Sequence, residues 1–210
     1  MDIQEIKIKI CGITNEEDAL LAVDLGADTL GFIFAESPRQ ISPEKARAII
    51  QNLPPFIKTV GVFVNEEPGR LKKIQAECGL DLIQMHGYES PEQCRDLMPY
   101  SIKALRIKDE KDIEGIDKYK GTVRAILLDA YQPGKAGGTG KTFDWSLAVK
   151  ARETGIPIIL AGGLSPENIQ EAVTTVKPYA VDINSGIEER PGKKSQELMK
   201  LLFEKIMLVK

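Results

Sequence analysis

Ala125-Ile126-Leu127-Leu128 is an apolar run without alternation that stops on a carboxylate, Asp129. Ile156-Pro157-Ile158-Ile159-Leu160 repeats the pattern and stops on Ala161-Gly162-Gly163. A strand with one face in water alternates apolar and polar side chains. Runs that do not alternate need cover on both faces, which is the situation of a parallel sheet wrapped in helices. Working outward from these two, strands are expected at Ile6–Ile10, Thr29–Phe34, Lys58–Val64, Leu82–Met85, Ile102–Ile107, Val123–Leu128, Pro157–Leu160 and Ala180–Ile183.

Parallel neighbours need crossover connections, and the segments between the runs carry helix-start chemistry. Ser42-Pro43-Glu44, Ser90-Pro91-Glu92 and Ser165-Pro166-Glu167 each offer a capping hydroxyl, a proline for the first helical position and a carboxylate for the positive helix end. Gln93 completes a capping box with Ser90. Asn15, Asn65 and Asp144 are expected to cap helices in the same way. The last stretch is expected to bury Leu198, Leu201, Leu202 and Ile206 on one face. Eight βα units over 210 residues give a mean unit of 210/8, about 26 residues, near the short end for a closed barrel. No linker or shift of composition divides the chain. The expected fold is α/β, a single-domain (β/α)8 TIM barrel of eight parallel strands spanning residues 1–210. An open doubly wound sheet is the rival, but closure removes exposed edges.

Composition narrows the chemistry. One histidine, His86, excludes multi-His metal sites, and any Ser-His-Asp triad must run through it. Three cysteines, Cys11, Cys78 and Cys94, form no C-x-x-C pair and read as reduced thiols of a cytoplasmic protein. With 28 Lys+Arg against 31 Asp+Glu, the net charge of −3 shows no nucleic-acid or membrane-surface footprint. The first residues lack a basic n-region and apolar core, so neither leader nor membrane span is expected.

In such barrels the reacting groups sit where strands end. Cys11 follows the first strand and reads either as a small buried hydrophobe or as a functional thiol; Cys78 and Cys94 fall in helical segments. Arg39, on the loop after the second strand, is either a solvated surface residue or a clamp for a carboxylate or phosphate. His86 ends the fourth strand, as a polar cap of the mouth or as an acid, base or donor. Asp129 is not there for packing, and its loop, with Gly134 and Gly137-Gly138-Thr139-Gly140, is too long for a helix cap, so it is suited to giving a proton. Small-residue turns after the last two strands, Gly162-Gly163 and Asn184-Ser185-Gly186, are the recurrent phosphate site of these barrels. Strands 1 and 6 lie three steps apart around eight, so Cys11 and Asp129 face each other over a tethered phosphate. A base on one wall and an acid on the other suit isomerisation by proton transfer. No metal or nicotinamide motif is visible, and no cofactor is expected.

Taken together, Lys9-Ile10-Cys11-Gly12-Ile13-Thr14, Ser37-Pro38-Arg39, Val60-Gly61-Val62-Phe63, Gln84-Met85-His86-Gly87, Leu127-Leu128-Asp129, Gly137-Gly138-Thr139-Gly140 with Phe143-Asp144-Trp145, Ala161-Gly162-Gly163-Leu164 and Asp182-Ile183-Asn184-Ser185-Gly186-Ile187-Glu188 resemble the phosphoribosylanthranilate isomerase family, in order from Lys9 to about Lys194. The resemblance implies an Amadori rearrangement in tryptophan biosynthesis, from N-(5′-phosphoribosyl)anthranilate to 1-(2-carboxyphenylamino)-1-deoxyribulose 5-phosphate. It implies Cys11 as general base, Asp129 as general acid, and Arg39 on the anthranilate carboxylate. Gly162, Gly163, Ser185 and Gly186 would hold the phosphate; Gly138 joins the substrate-binding set, and His86 and Asp182 are supporting residues. The family often has Ser-Ser-Gly where this chain has Asn184-Ser185-Gly186, and Asn keeps a donor. The expected partner is a small phosphorylated substrate, with the chain as monomer or homodimer. A thiamine phosphate synthase would share the phosphate turns but leave Cys11 and Arg39 idle. A non-catalytic phosphate-ligand sensor would have no use for Cys11 facing Asp129.

Overall fold

The computed structural model describes residues 6–130 and 144–209. Eight strands, β1 (Lys7–Cys11), β2 (Thr29–Ile33), β3 (Lys58–Phe63), β4 (Leu82–Met85), β5 (Ser101–Ile107), β6 (Ala125–Ala130), β7 (Ile158–Leu160) and β8 (Ala180–Ile183), form a closed barrel in sequence order. β1 pairs in parallel with both β2 and β8, which closes the ring and leaves no sheet edge. Helices α1 (Glu16–Asp24), α2 (Pro43–Gln51), α3 (Pro68–Cys78), α4 (Pro91–Arg95), α5 (Glu110–Glu114), α6 (Trp145–Arg152), α7 (Ile169–Val176) and α8 (Gln196–Met207) surround it.

The non-alternating runs have a direct explanation. Leu127 lies in the apolar cluster inside the barrel with Ile102, Ala104, Ala125, Ile159, Ala161 and Ala180. Its neighbours Ile126 and Leu128 lie in the larger cluster between strands and helices. Successive side chains therefore enter two different cores. Each such burial contributes about 1.5–3 kcal/mol.

The caps are mostly where expected. Asn15, Ser42, Ser90 and Asp144 each accept from a backbone N–H of the first turn, and Ser90 and Gln93 make the reciprocal box. Two expectations fail. Asn65 is not a cap; its φ is +49°, its side chain accepts from Tyr88 N at 2.7 Å, and Glu67 caps α3 instead, one residue before Pro68. Ser165-Pro166-Glu167 forms a preceding turn, and α7 starts only at Ile169, because Asn168 folds back to accept from Ser165 N. In α8 the buried face is Met199, Leu202, Phe203 and Ile206, while Leu201 is exposed and Leu198 half-buried. The strand ends also shift: Cys11 is the last residue of β1, and Asp129 lies within β6.

One feature was not expected from sequence. After β8 a short 3-10 turn, Ser185–Ile187, leads into an antiparallel hairpin, β9 (Glu188–Arg190) and β10 (Lys193–Lys194), turned by Pro191-Gly192. It returns Lys194, fully buried, beneath the end of β8.

The loop carrying His86 is braced from outside the barrel. Lys103 of β5, 1% exposed, donates to Gly87 O at 2.7 Å and to Glu89 Oε2 at 2.8 Å. Glu89 also accepts from Asn65 N and Gly87 N. Burial alone would raise the Glu89 carboxyl, but Lys103 holds it below the ordinary glutamate range. Its contribution to stability is thus present at neutral pH and lost as pH falls through that lowered value. Lys103→Met strands the carboxylate without its cation and is expected to cost about 3 kcal/mol, read as a lower denaturant midpoint; an unchanged midpoint contradicts it.

Candidate active site

Alternation along the strands decides which side chains reach the mouth at their C-terminal ends. Cys11, Gln84, His86, Arg106, Leu127, Asp129, Ala161, Asp182 and Asn184 all line one cleft, joined by Arg39, Gly162, Gly163 and Ser185 from the loops. Among the expected site residues within the described part, eight thus line the cleft: Cys11, Arg39, His86, Asp129, Gly162, Gly163, Asp182 and Ser185. Gly186 is not among the lining residues and packs against Leu164. Gly138, with Gly134, Gly137, Thr139 and Gly140, lies outside the described residues.

Cys11 on β1 and Asp129 on β6 stand on opposite walls, three strand positions apart in a ring of eight. Beside Cys11, two residues earlier on the same face, is Lys9, whose Nζ donates to Asp182 Oδ2 at 2.8 Å, all three groups being buried. A Cβ on Gly31 of β2 would stand 2.7 Å from Cys11 Sγ and 3.1 Å from Lys9 Nζ, so glycine is what leaves room for both groups. Burial pushes the Cys11 thiol up from its ordinary value; Lys9 opposes the rise, as does Lys194 more weakly, while Asp182 adds to it. Burial by itself would lower Lys9, yet Asp182 and Cys11 hold its ammonium above the ordinary lysine value. Lys9 therefore stays charged next to the thiol. Cys78 and Cys94 lie in α3 and α4, and burial pushes Cys94 up to about 11 with no place at the mouth.

Across the cleft, His86 Nε2 lies 3.4 Å from Asp129 Oδ2 but makes no hydrogen bond, a buried polar atom left facing the mouth. Gln84 Nε2 meets His86 Nδ1 at 3.1 Å. Asp182 Oδ1 is likewise buried without a partner.

The turns after β7 and β8 touch each other. A Cβ on Gly186 would come 2.0 Å from Leu164 O, so only glycine admits this approach. Gly162 and Gly163 have φ of +82° and +68°, left-handed conformations that side chains other than hydrogen resist. Consecutive small residues in such turns present backbone N–H groups as an anion-binding concavity.

Arg39 is held by Glu188 of β9: Nε donates to Oε1 at 2.9 Å and Nη2 to Oε2 at 2.7 Å. Lys194 reaches Glu188 Oε1 at 3.1 Å and Asn184 Oδ1 at 3.0 Å. Burial would raise Glu188, but Arg39 and Lys194 bring its carboxyl below the ordinary range. Burial lowers Lys194, only partly offset by Glu188. Sequence reasoning assigned no role to Lys9, Gln84, Arg106, Glu188 or Lys194. For the first three the signal was present: each occupies an inward strand position, Lys9 two before Cys11, Gln84 two before His86 and Arg106 two after Ala104. The Pro191-Gly192 pair was the only sign of the hairpin that brings the other two.

The fold and the site define a (β/α)8-barrel enzyme, with a thiol and a carboxyl group on facing walls and glycine turns between them. Residues 8–205 match the family model for N-(5′-phosphoribosyl)anthranilate (PRA) isomerase, so the chain belongs to that family. It is 54% identical over 190 residues to N-(5′-phosphoribosyl)anthranilate isomerase of Geobacter sulfurreducens, covering 90% of this chain and 92% of the relative. The crystal structure of the Thermotoga maritima enzyme matches with a TM-score of 0.90 at 44% identity, over 96% of this chain and 98% of that one; the same enzyme is described as dimeric. A phosphoribosyl anthranilate isomerase in complex with reduced 1-(o-carboxyphenylamino)-1-deoxyribulose 5-phosphate matches with a TM-score of 0.86 at 41% identity, covering 96% of this chain and 98% of that one.

Proposed function

We propose that the chain isomerises N-(5′-phosphoribosyl)anthranilate to 1-(2-carboxyphenylamino)-1-deoxyribulose 5-phosphate, a step of tryptophan biosynthesis, with Cys11 as general base and Asp129 as general acid. The observation that carries the assignment is the placement of these two groups on opposite walls of one cleft beside the glycine turns. The substrate's phosphate sits in the turns of Gly162, Gly163, Ser185 and Gly186, and Gly138 belongs to the same substrate-binding set. That tether places the ribose between the walls. Asp129 gives its proton to the furanose oxygen as the C1′–O bond breaks, and the nitrogen lone pair forms the C1′=N bond of the iminium. Cys11 thiolate then takes the C2′ proton, and the electrons of that C–H bond form the C1′–C2′ double bond of an enolamine. The enol oxygen loses a proton and C1′ gains one, giving the aminoketose. One proton passing from Cys11 back to Asp129 through solvent resets the pair.

His86 Nε2 stands 3.4 Å from Asp129 Oδ2 and helps to position that carboxyl group. Asp182 Oδ1, without a partner among the described residues, accepts from a ribose hydroxyl, and its other oxygen holds Lys9. Arg39 faces the anthranilate carboxylate with the part of its fork that Glu188 leaves open.

The 210 residues act as one domain, in the cytoplasm and without a nucleic-acid partner, alone or as a homodimer like the Thermotoga enzyme. Among the described residues no helix is long and apolar enough to cross a membrane. The test is loss of the anthranilate-moiety fluorescence when enzyme meets freshly made phosphoribosylanthranilate with EDTA present. Metal-independent turnover is expected; its absence overturns the reading.

A further inference from the structure

We propose that Lys194 sets how strongly the site prefers a carboxylated aryl group, by neutralising Glu188 and so leaving the charge of Arg39 to the anthranilate carboxylate. Lys194 does not line the cleft and is a positioning residue, acting through Glu188. The inference rests on the isomerase reading and adds to it the source of the free charge on Arg39.

Arg39 and Glu188 by themselves form a neutral pair. The guanidinium spends Nε and Nη2 on the carboxylate at 2.9 and 2.7 Å, and the two side chains are 11% and 4% exposed. Nη1 and the second hydrogen of Nη2 remain for a ligand. A carboxylate arriving there also meets the negative Glu188 directly behind Arg39, and the pair alone attracts it weakly. Lys194 changes the balance. Its side chain is 0% exposed, and its Nζ lies 3.1 Å from Glu188 Oε1. The same ammonium donates to Asn184 O at 3.1 Å and to Asn184 Oδ1 at 3.0 Å. Its donors are all spent inside the protein, so it acts on a ligand only through its charge. A Cβ on Gly12 would stand 2.6 Å from Asn184 Oδ1 and 3.0 Å from Arg39 Cδ, so glycine makes room for this cluster.

The charges along this wall can be counted. Lys9 with Asp182 is one cation against one anion, whereas Arg39 and Lys194 share the single anion Glu188. One positive charge is left over. It faces the cleft through Arg39, which lines it, while Glu188 and Lys194 do not. A buried cation without a matching anion is costly until one meets it, and the aryl carboxylate is the anion that reaches Arg39. A unit charge roughly 8 Å from a carboxylate, at an effective dielectric constant of about 20, changes affinity by about 10- to 30-fold.

The test uses two ligands: reduced 1-(o-carboxyphenylamino)-1-deoxyribulose 5-phosphate, and the same molecule made from aniline, which lacks the carboxylate. Both carry the phosphate, so the ratio of their affinities reads the aryl end alone. Wild type is expected to prefer the carboxylated ligand. Lys194→Met narrows that preference about tenfold and leaves the aniline ligand nearly unchanged. Lys194→Gln, neutral but still a donor to Asn184, does the same and is measured beside it, with thermal unfolding to show that each variant keeps the barrel. The double variant Lys194→Met with Glu188→Gln removes one cation and one anion together, restores the surplus charge on Arg39, and recovers most of the preference. Equal loss for both ligands, a preference unchanged in both Lys194 variants, or no recovery in the double variant overturns the proposal. Wild type that binds neither ligand, or both alike, overturns instead the isomerase reading of the site, and the inference with it.

Discussion

Cys11→Ala lowers kcat by about 10³-fold, about 4 kcal/mol of transition-state stabilisation, while the reduced product analogue still binds. Asp129→Asn does the same by a different route, since the amide keeps the shape of the side chain but has no carboxyl proton to give. Neither group lies in the phosphate turns, so affinity for the phosphorylated analogue survives in both. This separates a lost chemical step from a lost site. The thiol stands against β2 at the position that Gly31 leaves open, so Ala at position 11 creates only a small void. Near-normal turnover in either variant removes that residue from the proposed mechanism.

Lys9→Met shifts the rising limb of kcat/KM to higher pH, with a loss of about tenfold at neutral pH. The active form is the thiolate, so activity rises with pH until the thiol has ionised. Burial already pushes that ionisation upward, and Lys9 is the largest opposing influence. Removing it also leaves the Asp182 carboxylate unneutralised beside the sulfur, which pushes the same way. Asn184, Lys194 and the Arg39–Glu188 pair stand around the same wall and are unchanged by the substitution. Lys9→Arg keeps the charge and restores most of the shift. The pH profile, with the alkylation rate of Cys11 measured on its own peptide, reads the effect. A limb that stays in place in Lys9→Met shows that the ammonium does not tune the thiol.

The barrel was readable because its strands are covered on both sides. Ala125-Ile126-Leu127-Leu128 has no alternation since Leu127 serves the inner core while Ile126 and Leu128 serve the outer one. Helix starts were readable where a single residue makes the cap, as at Asn15 and Ser90, because the bond spans only three residues. Asn65 and Ser165 misled because their bonds go elsewhere: Asn65 is occupied by Tyr88 across the turn, and Asn168 folds back onto Ser165 N.

The site divides along the same line. Chain order and the rule that reacting groups sit at strand ends pick out Cys11, Arg39, His86, Asp129, Gly162, Gly163 and Ser185, the resemblance adds Asp182, and the structure brings them to one mouth. Sequence alone thus indicated the fold and the rim positions through local pattern and order, and the family through the resemblance of its motifs. Only the tertiary structure decided which charges meet. Lys9 with Asp182 is a pair 173 residues apart, and Arg39 with Glu188 is 149 apart. Charge pairing is fixed by barrel closure and by the hairpin after β8, not by neighbours along the chain. It is this pairing that keeps a cation beside the Cys11 thiol and holds Arg39 in place at the mouth.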